Sequence, residues 1–447
     1  MSTLAMLGGT RSVPRNRRMG QWPRVTPEDE AAIGRVVAGG RFTSASAGEQ
    51  EIGALEREWA DFVGTAHCVA VSNGTTALSV ALAAAGIGPG DEVIVPALSF
   101  IATALAPLHL AAVPRFVDVD PVTYNMTPAA VEAAVTPRTR AVVVVHLHGL
   151  PADLAELRAV ADRHGLVLVE DAAQAHGARY RGRRVGSAGA VSSFSLNVSK
   201  NLATCGEGGL VNTDDPDLHR RALMLRQFGE LIPDGGERSY VSHLPGWNAK
   251  PNAIQCAFTR SQLARLPAED EQRDRAVRRL LGRLGQLPGL LVPSAPADRS
   301  HAWHILRFRV DATAFGLEPA RSGAARAVVM RALRAEGVPA SHYQLMPLPA
   351  QRVFRAPPGV GIAPYRAGDF PDTLAVIDTS FTIQKAHLHP DAGPLLDLYA
   401  DAIEKVWEQR DVVAAHAAAL EHRTPWAEAE AIADAELQPV EAASATA

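Results

Sequence analysis

One repeating alternation constrains the fold of this chain more than any other feature. Short apolar runs recur at residues 68–71, 92–95, 115–119, 141–146 and 166–170. They are rich in valine and bounded by Gly, Pro or Asp, the pattern of buried strands. Between them, residues 75–85, 102–112 and 152–164 have helical composition. Strands alternating with helices predict a mainly parallel sheet covered on both faces. That order also puts ligand-contacting groups at the carboxyl ends of the strands.

A chain of 447 residues exceeds one compact domain and has room for two or three. Residues 1–25 carry Gly, Pro and Arg without periodicity and read as an N-terminal arm. Helices are expected at 27–37 and 50–62; in the second, Ile52, Leu55, Trp59 and Phe62 share one face. A charged segment at 260–283 predicts a long helix, kinked or interrupted at Pro267. A second βα region follows, with a strand at 304–310 and helices at 323–336 and 395–408. The expected domains are a large one at 26–275 and a smaller C-terminal α/β one at 276–415. An Ala/Glu-rich segment at 416–447 reads as a flexible tail.

Charge and cysteine content exclude several classes. A net charge of −4 predicts neither nucleic-acid nor membrane binding. The apolar runs fall short of membrane-spanning length, and no signal peptide is legible, so a soluble, cytoplasmic protein is expected. Cys68, Cys205 and Cys256 are scattered and odd in number, which argues against a disulfide framework or a structural metal. Of 44 Lys and Arg, only Lys200, Lys250, Lys385 and Lys405 are lysines. Chemistry that needs a lysine amine therefore has four candidates.

Three motifs carry chemistry. Ser72-Asn73-Gly74-Thr75-Thr76 lies between a strand and a helix, where free amides of Gly74 and Thr75 make an anion site; a plain Asn cap reads the same residues. Asp171 ends an apolar strand, so its carboxylate needs a cation or several donors. A protonated pyridine nitrogen is one such cation, and Gln174 lies about one helical turn further on; a capped helix start is the alternative. Lys200 sits between hydroxyls and a glycine-rich turn, which suits a desolvated amine able to form a Schiff base. Ser195 is available to a phosphate. Anion cradle, acidic strand end and lysine, in that order, are what a pyridoxal phosphate enzyme requires.

These residues also resemble a known family. The strings at 72–76, 170–178 (EDAAQAHGA) and 194–209 (FSLNVSKNLATCGEGG) resemble the DegT/DnrJ/EryC1/StrS aminotransferases, which make amino sugars and aminocyclitols. Similar too are 145–154 (VHLHGLPADL), Gly246-Trp247-Asn248 and His342-Tyr343, so that the likeness spans roughly 8–405. It implies fold type I of the pyridoxal phosphate enzymes, a seven-stranded, mainly parallel sheet flanked by helices with a smaller α/β domain. It also implies the roles. Lys200 forms the imine and shuttles the proton, and Asp171 keeps the pyridine nitrogen protonated. Gln174 contacts the ring's phenolic oxygen, while Gly74, Thr75 and Ser195 hold the phosphate. Phe100 stacks on the ring. Asn248 reaches the phosphate of the neighbouring subunit, which makes the active unit a homodimer.

The implied function is transfer of an amino group from L-glutamate or L-glutamine to a keto cyclitol or keto sugar in natural-product biosynthesis. The opening Leu4–Thr10 segment resembles cyclitol and aminohydroxybenzoate members, which favours an acceptor without a nucleotide. Two departures fall on substrate or subunit contacts. Lys250 stands where members usually carry arginine, and residues 380–390 lack the usual Leu-Pro-rich strand. The alternative is another pyridoxal phosphate reaction on the same scaffold: dehydration, elimination or oxidation. Lys200 speaks against the family's dehydratases, which carry histidine there. A purely regulatory protein predicts a damaged lysine, acid or cradle, and all three are intact. Lys385 and Lys405 read as unassigned or surface residues.

Overall fold

The computed structural model describes residues 3–16, 20–44, 46, 48–232, 238–355 and 365–432. Seven strands form the larger sheet: β1 His67–Val71, β2 Glu92–Pro96, β3 Val113–Val117, β4 Thr139–Val145, β5 Val167–Asp171, β6 Val191–Ser195 and β7 Gly209–Thr213. Their spatial order is β1-β7-β6-β5-β4-β2-β3. β7 runs antiparallel to both neighbours and the remaining pairs are parallel. The sheet therefore has the expected mainly parallel character.

Burial on both faces explains the valine runs. β2 is buried throughout, and β4 exposes only Arg140. One core cluster collects Ile94, Val142, Val144 and Leu168; another collects Val93, Val95, Val143 and Val169. Successive side chains of one strand thus enter opposite layers, as the pleat requires. The helix Glu51–Val63 covers the first layer with Ile52, Leu55 and Trp59, and the Trp59 indole donates to Asn212 Oδ1 of β7 at 3.1 Å. β6 and β7 were not among the expected strands. β6 reads Val-Ser-Ser-Phe-Ser, too polar for a buried strand by pattern, yet it is fully buried. One of its hydroxyls finds an acceptor inside: Ser192 Oγ donates to the Gly186 carbonyl at 2.8 Å.

A three-stranded antiparallel sheet, Leu290–Leu291, Leu306–Val310 and Ser380–Ile383, carries the second core. The helices Ser322–Glu336 and Gly393–Glu408 pack there with Leu4 and Val13 of the N-terminal arm. Of the kink or interruption expected at Pro267, the interruption does not occur. A helix runs from Ala253 to Leu284 with Pro267 inside it. Its first half buries Ala257, Leu263 and Leu266 in the large-sheet core, its second half Val277, Leu280 and Leu284 in the other. Packing at both ends outweighs a local proline penalty of about 3 kcal/mol.

Two further expectations are corrected. Residues 410–419 form a helix with Val413 and Ala417 buried, and Trp426 packs against a small cluster with Val376 and Ile377. The remainder of the expected tail, 433–447, lies outside the described residues. Neither Lys385 nor Lys405 is on the surface; they are 3% and 9% exposed. Lys405 Nζ donates to the Thr10 carbonyl at 2.7 Å and to Glu336 at 3.0 Å, fastening the arm to the second core. Among the described residues no helix is long and apolar enough to cross a membrane.

Candidate active site

The parallel strands deliver the site residues at their carboxyl ends. β1 leads into Asn73-Gly74-Thr75, β2 into Ser99 and Phe100, β5 ends at Asp171 and β6 at Ser195. Gly74, Thr75, Phe100, Asp171, Gln174, Ser195 and Lys200 all line one cavity of about 620 Å³. Asn248 does not. It is exposed, and its Oδ1 accepts a hydrogen bond from Lys250 Nζ at 2.6 Å. Lys250 in turn rests 4.2 Å from the centroid of the Phe228 ring.

The cradle is set by a close approach. A Cβ on Gly74 would stand 2.5 Å from Ser195 Cβ, so only glycine lets the first helical turn meet the end of β6. Asn73 caps that helix by accepting from the Thr76 amide at 2.8 Å. The Gly74 and Thr75 amides precede any intrahelical acceptor and remain available to an anion.

Asp171 is 7% exposed. Its Oδ2 accepts from Thr103 Oγ1 at 2.8 Å and its Oδ1 from the Ala173 amide at 3.2 Å. Thr103 Oγ1 also lies 2.8 Å from Ser99 Oγ. One turn of the Ala102–Leu108 segment thus aims the carboxylate, a role absent from the sequence reading. The Ser99/Thr103 spacing of one helical turn was the available signal.

Gln174 is held at both ends. Its Oε1 accepts from the His148 amide at 2.8 Å and its Nε2 donates to the Tyr343 hydroxyl at 2.9 Å. Burial pushes the Tyr343 phenol up to about 12 despite that bond and nearby Arg307, so it stays protonated. Behind Asp171, buried Glu170 accepts from His146 Nε2 at 3.0 Å and from the Gly186 and Ala188 amides at 2.7 Å. Burial pushes that carboxyl up, but these donors hold it below its ordinary value.

Burial lowers the Lys200 amine from the usual lysine value, against the opposing pull of Asp171 and Glu207. A lowered amine has a larger neutral, nucleophilic fraction. Trp22 of the N-terminal arm donates its indole N–H to the Lys200 carbonyl at 3.1 Å. His304, Gln384 and Lys385 complete the wall from the second core. Sequence reading placed Gln384 and Lys385 only within a segment of substrate or subunit contacts and gave His304 no role.

The donor set fits pyridoxal phosphate: an amide-and-hydroxyl cradle, a buried carboxylate and a lysine amine share one cavity. An adjoining recess of about 840 Å³ shares Ser99, Phe100 and Tyr343 and is walled by Leu345, Met346 and Ile432.

Comparison with known proteins agrees with this geometry. The model of the DegT/DnrJ/EryC1/StrS aminotransferase family matches residues 23–383. The L-glutamine:scyllo-inosose aminotransferase of Streptomyces griseus is 44% identical over 315 residues, covering 68% of this chain and 73% of that protein. The dTDP-3-amino-3,4,6-trideoxy-alpha-D-glucose transaminase of Streptomyces venezuelae is 42% identical over 284 residues, 64% of this chain and 72% of its own. Among solved structures, 3-amino-5-hydroxybenzoic acid synthase superposes with a TM-score of 0.77 at 32% identity, covering 88% of this chain and 99% of that one. A match that runs through the large sheet, the cavity and the second core makes this chain a member of the DegT/DnrJ/EryC1/StrS family, the pyridoxal-phosphate-dependent aminotransferases.

Proposed function

We propose that this enzyme moves the amino group of L-glutamine or L-glutamate to a keto cyclitol or keto sugar, working as a cytoplasmic homodimer. The observation that carries the reading is the meeting of Lys200, Asp171 and the Gly74–Ser195 cradle in one cavity, in a chain similar to a scyllo-inosose aminotransferase. When bound, pyridoxal phosphate supplies an electron sink that accepts nitrogen from the donor and passes it to the ketone.

The chain's own residues divide the remaining work. Gly74, Thr75 and Ser195 bind the phosphate, and Asp171, oriented by Thr103, pairs with the pyridine nitrogen. Gln174, fixed by His148 and Tyr343, addresses the ring oxygen, while Phe100, 55% exposed at the cavity mouth, covers the ring face. Lys200 holds the cofactor through its amine. It then moves a proton at the carbon bearing the transferred nitrogen, which requires a base within hydrogen-bond reach.

A dimer accounts for Asn248, which faces outward beside exposed Phe228, Tyr240, Val241 and Trp247. Such an apolar group at the surface supports the dimer reading. The Leu4–Thr10 segment docks on the second core and lines no part of the cavity, so acceptor choice falls to the cavity and its recess.

The test is transfer of labelled nitrogen from glutamine to a keto cyclitol or a keto sugar nucleotide. Failure with every amino donor, despite bound cofactor, defeats the reading. The visible band near ~400 nm expected of the loaded enzyme disappears in K200A. Mixing inactive K200A with inactive N248D restores activity only if subunits share sites.

A further inference from the structure

Cations are scarce in this cavity. Among the described residues that line it, the amines are Lys200 and Lys385, and no arginine is present. Yet only four of the chain's 44 basic residues are lysines. Lys200 is engaged with the cofactor, which leaves Lys385 to answer an anionic substrate.

Lys385 begins the short turn Lys385–His387 that follows the strand Ser380–Ile383. It is 3% exposed, and its Nζ has no hydrogen-bond partner. The amine rests 3.4 Å from the centroid of the Trp22 ring. Around it stand Arg273, of like charge, and the carboxylates of Asp270 and Glu269. Both carboxylates are already claimed, Asp270 by Arg273 and Glu269 by Arg24 at 2.9 Å and Arg265 at 3.6 Å. A buried amine without an acceptor or a counter-ion of its own is costly. The indole face offsets part of that cost. A ligand that brings a carboxylate offsets the rest.

Trp22 also joins this amine to the main chain of the reacting lysine. Its N–H donates to the Lys200 carbonyl at 3.1 Å while its face carries Lys385 Nζ, and both lysines line the one cavity. An α-amino acid has its carboxylate on the carbon that bears the reacting nitrogen. A cation that reads this carboxylate has to stand beside the reacting lysine.

We propose that Lys385 is the donor-carboxylate receptor of this enzyme: its ammonium leaves the Trp22 face and pairs with the carboxylate of the amino-acid donor. This rests on the amino-acid donor named above. The flexible four-carbon stem permits the move. Burial holds Lys385 well below the ordinary lysine value, so the arriving anion also brings the charge that favours its protonation.

The experiment titrates cofactor-loaded enzyme with glutarate, a dicarboxylate without an amine, by calorimetry. Wild type, K385M, K385Q and K250M are compared. Glutarate is expected to bind about 10- to 100-fold more weakly in both Lys385 variants, the range for losing a charged hydrogen bond, and equally well in K250M. In steady state, KM for the donor rises while kcat and the acceptor KM stay near wild type. Equal glutarate affinity in wild type, K385M and K385Q overturns the proposal, as does a loss confined to K250M. Glutarate binding needs no turnover. A wild type that binds it yet transfers no nitrogen defeats the proposed reaction and leaves the comparison of Lys385 intact.

Discussion

Replacing Thr103 by valine tests how the acid at the end of β5 is aimed. The substitution keeps the branched shape and removes only the hydroxyl that donates to Asp171 Oδ2 at 2.8 Å. Thr103 is 1% exposed, so water has no ready access to replace it. The carboxylate keeps the longer bond from the Ala173 amide, 3.2 Å to its other oxygen. A hydrogen bond to a charged group contributes about 1.5–3 kcal/mol. At ~1.4 kcal/mol per tenfold in rate, full loss predicts a fall of about 10- to 150-fold. With the Ala173 bond retained, the result is expected near the lower end. The assay is single-turnover reaction of the loaded enzyme with L-glutamine, followed by absorbance, with cofactor affinity measured in parallel. T103S, which restores the hydroxyl, returns most of the rate. A T103V rate within about twofold of wild type at full cofactor occupancy would refute the idea that Thr103 orients Asp171.

Other substitutions probe different parts of the frame. G74A drives a methyl to 2.5 Å from Ser195 Cβ and should weaken cofactor binding by about 1–3 kcal/mol, read by cofactor titration. E170Q leaves the Gly186 and Ala188 amides and His146 with a poorer acceptor; a loss of about 3–5 kcal/mol in chemical denaturation is expected, and an unchanged midpoint contradicts it. Burial, together with Lys200 and Arg273, lowers His176 to about 3 against the opposing pull of the Ser195 backbone. The unfolded chain, with a histidine near ~6.5, therefore takes up the proton first. This contribution to stability is complete above that value and declines as the pH falls toward 3, by about 1–2 kcal/mol between 6.5 and 5. H176Q should flatten that part of the melting-temperature profile, and parallel profiles for the two proteins count against the assignment.

Much of the large sheet was legible because its signals are local. Valine runs at 92–95 and 141–146 are strands whatever else the chain does, since only burial on both faces accommodates them. The polar β6 was illegible for the converse reason. Ser192 is tolerated inside because the turn before the strand offers the Gly186 carbonyl. Pro267 does not interrupt its helix because a proline's cost is a local quantity, while the helix around it is held by two separate cores.

The sequence by itself determined the order of the chemistry: a glycine turn after β1, an acid ending β5, and a rare lysine after β6. Those features lie within a few residues of a strand end, and parallel topology sends every such end to the same edge. Tertiary structure alone decided what surrounds them. Thr103 reaches Asp171 across 68 residues and Tyr343 reaches Gln174 across 169. Lys385, one of four lysines and legible only as a charge, becomes a buried amine on an indole beside Lys200. Composition records that an amine exists; how much water it keeps depends on which distant elements fold over it.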